Sequence, residues 1–119
     1  IAYGAMLRPT LEAADALKER DGVEAEVIDL LTLSPLDTGT FARSVRQTGR
    51  AVIVHEAPRS FGPGAEIVTR LVEESFWYLE APIVRVTGYD VIVPLPAYEQ
   101  HYLPNAGRVL RAARETLEV

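Results

Sequence analysis

Apolar positions along this chain alternate between short continuous runs and longer stretches with helical spacing. The most continuous run is Ala51 to Val54, followed at once by polar His55-Glu56 and then by Ala57-Pro58-Arg59-Ser60-Phe61-Gly62-Pro63-Gly64. A run with no polar side is how a central parallel strand covered on both faces reads, and the Pro/Gly-broken stretch after it reads as a loop. A broad stripe of Ile67, Val68, Leu71, Val72 and Phe76 comes next, with Glu66, Thr69, Arg70, Glu73 and Glu74 opposite, which predicts a helix. In open α/β sheets a junction of strand, loop and helix lies at the carboxyl edge, where ligands and partners are met.

The remaining segments repeat the alternation. Ile1 to Tyr3 reads as a strand ended by Gly4, and its shortness suggests a first strand cut by the start of the chain, hence a piece of a longer polypeptide. Leu7, Leu11, Ala14 and Leu17 recur at helical spacing with Pro9 in the first turn and Gly22 as the stop. Glu24 to Leu30 alternates Glu24 and Glu26 with Ala25 and Val27, as a strand at a sheet margin does. Asp37 or Thr38 caps a helix that buries Phe41 and Val45 and ends at Gly49. Ile83 to Thr87 is a further short strand whose Arg85 suggests a second margin.

Gly88 to Pro104 reads as one long connection, too apolar at Val91, Ile92, Val93, Leu95, Tyr98, Tyr102 and Leu103 for a free linker, and so as an arm packed into an interface. Asn105 caps a last helix with Val109, Leu110, Ala113 and Leu117 inward and a basic stripe of Arg108, Arg111 and Arg114 outward. Phe76-Trp77-Tyr78-Leu79 holds more bulk than one inward face accepts. Phe76 and Leu79 are expected in the core, and Trp77 at an interface.

Strands alternating with helices predict an α/β fold with a mainly parallel sheet between two helical layers, a three-layer α/β/α sandwich. Lettering the strands A to D in chain order, the marginal character of B and D gives the sheet order B-A-C-D. The switch point then falls between the Gly4 turn and the loop from His55 to Gly64. A length of 119 residues supports one domain, residues 1–119. Composition narrows the function only by exclusion. A net charge of -5 argues against a nucleic-acid footprint, no apolar run approaches the roughly 18 residues of a membrane span, and the absence of cysteine removes disulfides and thiolate metal sites.

Little in the chain points to chemistry of its own. His55 and Glu56 are adjacent, so in an extended chain their side chains point to opposite faces and cannot form a couple. His55 is therefore read as a hydrogen-bonding residue that fixes the loop, and Glu56 with Arg59 as a local ion pair. Gly62-Pro63-Gly64 begins like a dinucleotide fingerprint, but Pro63 removes a donor and no Lys-Ser/Thr pair comes after it, so it reads as a tight turn. His101 has no carboxylate or histidine at metal-ligand spacing.

Taken together, EVIDLLTLSPLDTGTFARSVRQTGRAVIVHEAPRSFGPGAEI, YLEAPIVRVTGYD and YEQHYLPNAGRVLRAARETL resemble the carboxyl-terminal domain of the beta subunit of thiamine diphosphate-dependent oxo-acid dehydrogenases. The matching stretches include Ser34-Pro35-Leu36-Asp37, Thr48-Gly49-Arg50, His55-Glu56-Ala57-Pro58 and Gly64-Ala65-Glu66-Ile67. The resemblance implies a transketolase carboxyl-terminal-like fold with one further antiparallel strand before Ile1. It also implies that thiamine diphosphate and magnesium are held elsewhere in the full enzyme, with no cofactor-binding motif in this chain.

The implied partners are the alpha subunit, a second beta subunit and the subunit-binding domain of the dihydrolipoyl acyltransferase. The acyltransferase is expected to dock near the carboxyl-terminal end, at Leu117 to Val119. His55, Glu56, Arg59, Trp77, Tyr102, Leu117 and Val119 are thus candidates for interface or loop-positioning roles, with none expected to be catalytic. The expected location is the cytoplasm or, in a eukaryote, the mitochondrial matrix. GYDVIVPLPAYEQHYLP places branched-chain members first and pyruvate or acetoin members second. A reading from another class is a free-standing flavodoxin-like module that binds a small ligand at the crest between Gly4 and His55.

Overall fold

The continuous apolar run lies in strand β1 (Val52–Pro58) of the computed structural model, which describes residues 1–119. Its residues divide by parity between two apolar clusters, because successive side chains of a strand point to opposite faces. Val54 and half-buried Val52 pack with Met6, Leu17, Val109 and Leu110, whereas Ala51 and Ile53 pack with Phe41, Val45, Ile67 and Leu71. Two covered faces leave no polar side to the strand, which is the physical origin of the unbroken run.

β1 pairs in parallel with β2 (Val84–Gly88), Val52 opposite Val84 and Val54 opposite Val86. On its other side Val54 forms a parallel bridge with Ala2, which in turn bridges Asp29 in parallel. Backbone bonds from Val54 N–H to Ile1 O (2.8 Å) and from Leu30 N–H to Ala2 O (2.9 Å) hold these outer segments. The order is B-A-C-D with parallel neighbours throughout, as the pattern predicts. The outer members are thinner than expected. Glu24 to Leu30 forms no ladder and touches the sheet by one bridge at Asp29. Glu24 is exposed, and Glu26 accepts from Ser44 Oγ (2.6 Å).

Helices α1 (Leu7–Asp21) and α5 (Ala106–Leu117) cover the Val54 face, and α2 (Thr38–Thr48) and α3 (Pro63–Ser75) cover the Ile53 face. This is the expected three-layer α/β/α arrangement. The helix ends obey local chemistry. Asp37 accepts from Thr40 N–H (3.1 Å) and Asn105 from Arg108 N–H (2.9 Å), each satisfying an end donor. Gly22 and Gly49 close α1 and α2 in the left-handed region at φ 69°.

Several expected placements are corrected by the packing. α3 ends at Ser75 and tightens into a 3₁₀ turn, Phe76–Tyr78, which takes Phe76 off the inward stripe; it is exposed, edge-on to Trp77 at 5.1 Å, rather than in the core. The inward face of α5 runs through Val109, Leu110, Ala112 and Thr116 with Ala113 packed beside it, and Leu117 at the helix end is 39 % exposed at the rim of an apolar cleft. The basic stripe is dismantled as well. Arg108 donates to Thr87 O (2.6 Å) and stacks over the Tyr89 ring, and Arg114 pairs with Asp21 (2.9 Å), so of the three only Arg111 makes no such contact. Gly88 to Pro104 is not one bare loop: it holds a 3₁₀ turn, Pro96–Tyr98, and one helical turn, α4 (Glu99–Tyr102).

Candidate functional site

The carboxyl edge of the sheet gathers the ends of β1 and β2 and the loops that leave them. His55 shares the parity of Ala51 and Ile53, so its ring points into the layer of α3, where it is fully buried (0 % exposed). Nδ1–H donates to Ala57 O (3.1 Å), which leaves Nε2 as the acceptor for Gly64 N–H (3.1 Å). That N–H belongs to the first turn of α3, which begins Gly62-Pro63-Gly64 and has no side-chain cap of its own. The histidine therefore supplies, from the neighbouring strand, the acceptor that a Ser or Asp cap would supply locally.

The contact requires glycine. A Cβ on Gly64 would fall inside the radius of His55 Nε2 and 2.9 Å from its Cδ2, and one on Gly62 would overlap Pro58 O. The glycines of the fingerprint-like stretch thus admit an imidazole rather than a phosphate. The first-turn donor that would face an anion is occupied, and Pro63 has none. Across the ring from α3, Tyr3 stacks on His55 at 6.1 Å between centroids. Burial lowers the pKa of His55; its bond to Ala57 O opposes that shift and the positive charge of Arg85 adds to it. Burial and the charge of Glu56 raise that of Tyr3.

Glu56, of opposite parity, is exposed, as adjacency predicted. Its expected ion pair with Arg59 is absent, because Arg59 lies across β2 instead. Arg59 Nη1 donates to Arg85 O (3.2 Å) and Arg85 Nη1 returns a bond to Arg59 O (3.1 Å). Tyr102 is buried, its hydroxyl 3.3 Å from Glu56 O, and Gly88 leaves the room it needs: a Cβ there would come 2.5 Å from that hydroxyl. Trp77 (90 % exposed), Leu117 and Val119 lie on the surface and take no part in this cluster.

Two features escaped the sequence pattern. Ser60 N–H and hydroxyl both bond the Asp90 carboxylate (2.9 and 2.6 Å), which ties the loop after β1 to the loop after β2 and lowers the pKa of Asp90. No local signal announced it: Pro58 lies opposite Gly88 at the end of the ladder, and the tie forms in the loops two residues beyond. Phe61, beside this tie, is fully exposed and sits in the left-handed region at φ 56°, a conformation unfavourable for a residue with a large side chain. Phe61, Val91, Ile92, Val93 and Leu95 are all exposed on the two loops that the Ser60–Asp90 tie joins.

Elsewhere, a cleft of about 390 Å³ runs between α1, the segment 24–28, α2 and α5, lined mainly by apolar side chains. A shallower one of about 490 Å³ lies beside Val72, Phe76 and Trp77. No three His, Asp or Glu side chains are grouped so that they could hold a metal ion. No helix is long and apolar enough to cross a membrane.

Comparison with known proteins agrees with this architecture. The family model described as "Transketolase, C-terminal domain" matches residues 1–109. Pyruvate dehydrogenase E1 component subunit beta of Staphylococcus aureus (strain Mu50 / ATCC 700699) is 48% identical over 118 residues, which are 99% of this chain and 36% of that protein. The same subunit of Staphylococcus epidermidis (strain ATCC 12228 / FDA PCI 1200) is 47% identical over 118 residues. The chain spans little more than a third of the length of these relatives. Among solved structures, a split gene transketolase described as an inactive beta4 tetramer superposes with a TM-score of 0.83 at 32% identity, covering 98% of this chain and 37% of that one.

Proposed function

The chain belongs to the transketolase C-terminal domain family, and from that premise we propose that it is the assembly domain of the beta subunit of a thiamine diphosphate-dependent oxo-acid dehydrogenase. The observation that carries this reading is the 48% identity over 118 residues to a pyruvate dehydrogenase E1 beta subunit. Pyruvate is accordingly the substrate class placed first for the whole enzyme. Branched-chain oxo acids, which Gly88 to Pro104 suggested, come second.

The residues of this chain do not fit thiamine diphosphate or its magnesium. His55 takes the first-turn donor of α3 at Gly64, and no carboxylate-histidine group of three is available for a metal. In this reading the cofactor is held by the remainder of the enzyme. The part left to this chain is to hold subunits together, and the exposed apolar residues on the two tied loops and around Trp77 support that role, since such patches are rare on solitary domains. The partners proposed are the alpha subunit, a second beta subunit and the acyltransferase's subunit-binding domain, the last meeting exposed Leu117 and Val119. His55, Arg59 and Tyr102 act as positioning residues for the end of β1 and the loop after it, Tyr102 through the backbone carbonyl of Glu56.

Co-expression of the complete beta subunit with its alpha subunit tests the reading. Pyruvate should be decarboxylated faster than branched-chain oxo acids, and deleting Leu117 to Val119 should weaken acyltransferase binding while leaving decarboxylation in place. Absence of any thiamine diphosphate-dependent decarboxylation would overturn the enzyme reading. Unchanged acyltransferase affinity would overturn the docking site.

A further inference from the structure

We propose that His55 is an acid-sensitive latch whose protonation frees the first turn of α3 and the loop Arg59 to Gly62 that displays Phe61. Both ring nitrogens are committed, one as a donor to Ala57 O and one as an acceptor from Gly64 N–H. A neutral imidazole carries one proton and satisfies both contacts. An imidazolium carries two, so its Nε2–H would point at Gly64 N–H, donor against donor.

The surroundings offer the cation no relief. From the first strand the facing group is Tyr3, whose raised pKa keeps its hydroxyl neutral. From β2 it is Arg85, already positive, which with burial depresses the pKa of the ring. On β1 itself Glu56 lies on the opposite face. From α3 the first carboxylate is Glu66, exposed and paired with Arg70 at 2.8 Å. Nor can the ring turn away easily, since Tyr3 stacks on it and the bare Cα of Gly64 sits against it. The least obstructed response is for the Gly64 contact to open.

The loop above that contact is held in a conformation it would not choose. Phe61 is kept at positive φ between two fastenings, Ser60 to Asp90 before it and Gly64 to His55 after it. Asp90 titrates below the ordinary carboxylate value of 3.8, so at mildly acidic pH it remains a carboxylate and His55 alone lets go. The sign is that of a base with a depressed pKa. The latch is fully closed above the unfolded value near 6.5 and is lost as pH falls through the lower folded value. The proposal rests on the assembly reading only for what the loop touches; the opening itself belongs to the beta subunit.

Hydrogen exchange on the complete beta subunit at pH 7.5 and pH 5.0, corrected for intrinsic rates, tests it. Protection across residues 60–66 should fall by up to about tenfold for each pH unit between 6.5 and the lower folded pKa of His55, and level off beneath it, while residues 106–117 remain unchanged. In His55→Gln, which carries no titrating group, the segment should show no pH dependence. If that variant does not fold, imidazole nitrogen shifts of the wild type must take the same pH course as the exchange. Equal protection at both pH values, the same fall in His55→Gln, or a ring that stays neutral while protection falls would each overturn the latch. Alpha-subunit binding at pH 7.5 is independent of all three outcomes, so failure of the assembly reading is read separately.

Discussion

Two segments leave adjacent strands at the same edge of the sheet and are then finished in opposite ways. From Ile53 to His55 the side chains are buried against the two helical layers, His55 is sealed between Tyr3 and α3, and its ring nitrogens both find partners. From Tyr89 to Tyr98 the chain turns its apolar residues outward, Ile92 being 95 % exposed, with short-range backbone bonds such as Val91 N–H to Tyr89 O (2.8 Å). The first segment is satisfied within this chain except at Phe61, which stands fully exposed. The second gains no hydrophobic stabilisation within this chain, because a row of exposed Val, Ile and Leu gains nothing from folding until water is removed from it. A buried segment and an exposed apolar one thus leave two neighbouring strands, joined by Ser60 and Asp90.

The largest effect that could undo this contrast is at its buried end. Ile53→Ala should destabilise the protein by about 3 kcal/mol in urea denaturation, since the side chain is fully buried and leaves a cavity. A loss below about 1 kcal/mol would mean the core collapses around the site and β1 is not the rigid member. Gly64→Ala should come second at about 2 kcal/mol, because the new methyl meets His55 and the ring has no free direction to yield. If Gly64→Ala instead stabilised the protein, as a helix-interior glycine replacement otherwise would, the imidazole contact would be disproved.

Asn105→Ala, at the anchored end of the arm, should cost about 1 kcal/mol through the lost bond to Arg108 N–H. Asp90→Asn probes the tie between the segments: it should raise hydrogen exchange around Ser60 without moving that of α5. Wild-type Asp90, with its pKa held below 3.8 chiefly by Ser60, gives a contribution present above pH 3.8 and lost as pH falls through the lower value. The smallest effect on folding belongs to the arm. Ile92→Ser should change stability by no more than about 0.5 kcal/mol and yet weaken subunit assembly measured by sedimentation. Equal assembly after that change would make the arm mere surface.

How much of the fold was legible in the sequence depends on how far each signal reaches. The run Ala51 to Val54 displayed the central strand, Asn105 its cap and Asp37 or Thr38 the cap that proved to be Asp37, and Gly22 and Gly49 the ends of α1 and α2, because periodicity and capping act between residues a turn apart. Phe76 misled for the same reason. Its spacing from Leu71 and Val72 continued the stripe, but the helix tightened at Ser75 and the spacing no longer applied. The arginines of α5 misled differently: outward on a helical wheel, Arg108 and Arg114 are long enough to fold back onto Thr87 O and Asp21.

Local pattern was enough for the alternation of elements, the burial of β1 and the order of strands, and resemblance was enough for the family. Which polar groups meet was settled only when the chain packed. His55 finds Gly64 nine residues on, Ser60 finds Asp90 thirty residues on, and Arg114 reaches Asp21 across ninety-three. Hydrophobic burial is set by each residue's own character and period, and so can be read locally. A hydrogen bond needs two atoms within about 3 Å, and that distance is fixed by strand register and helix crossing, which no local stretch contains.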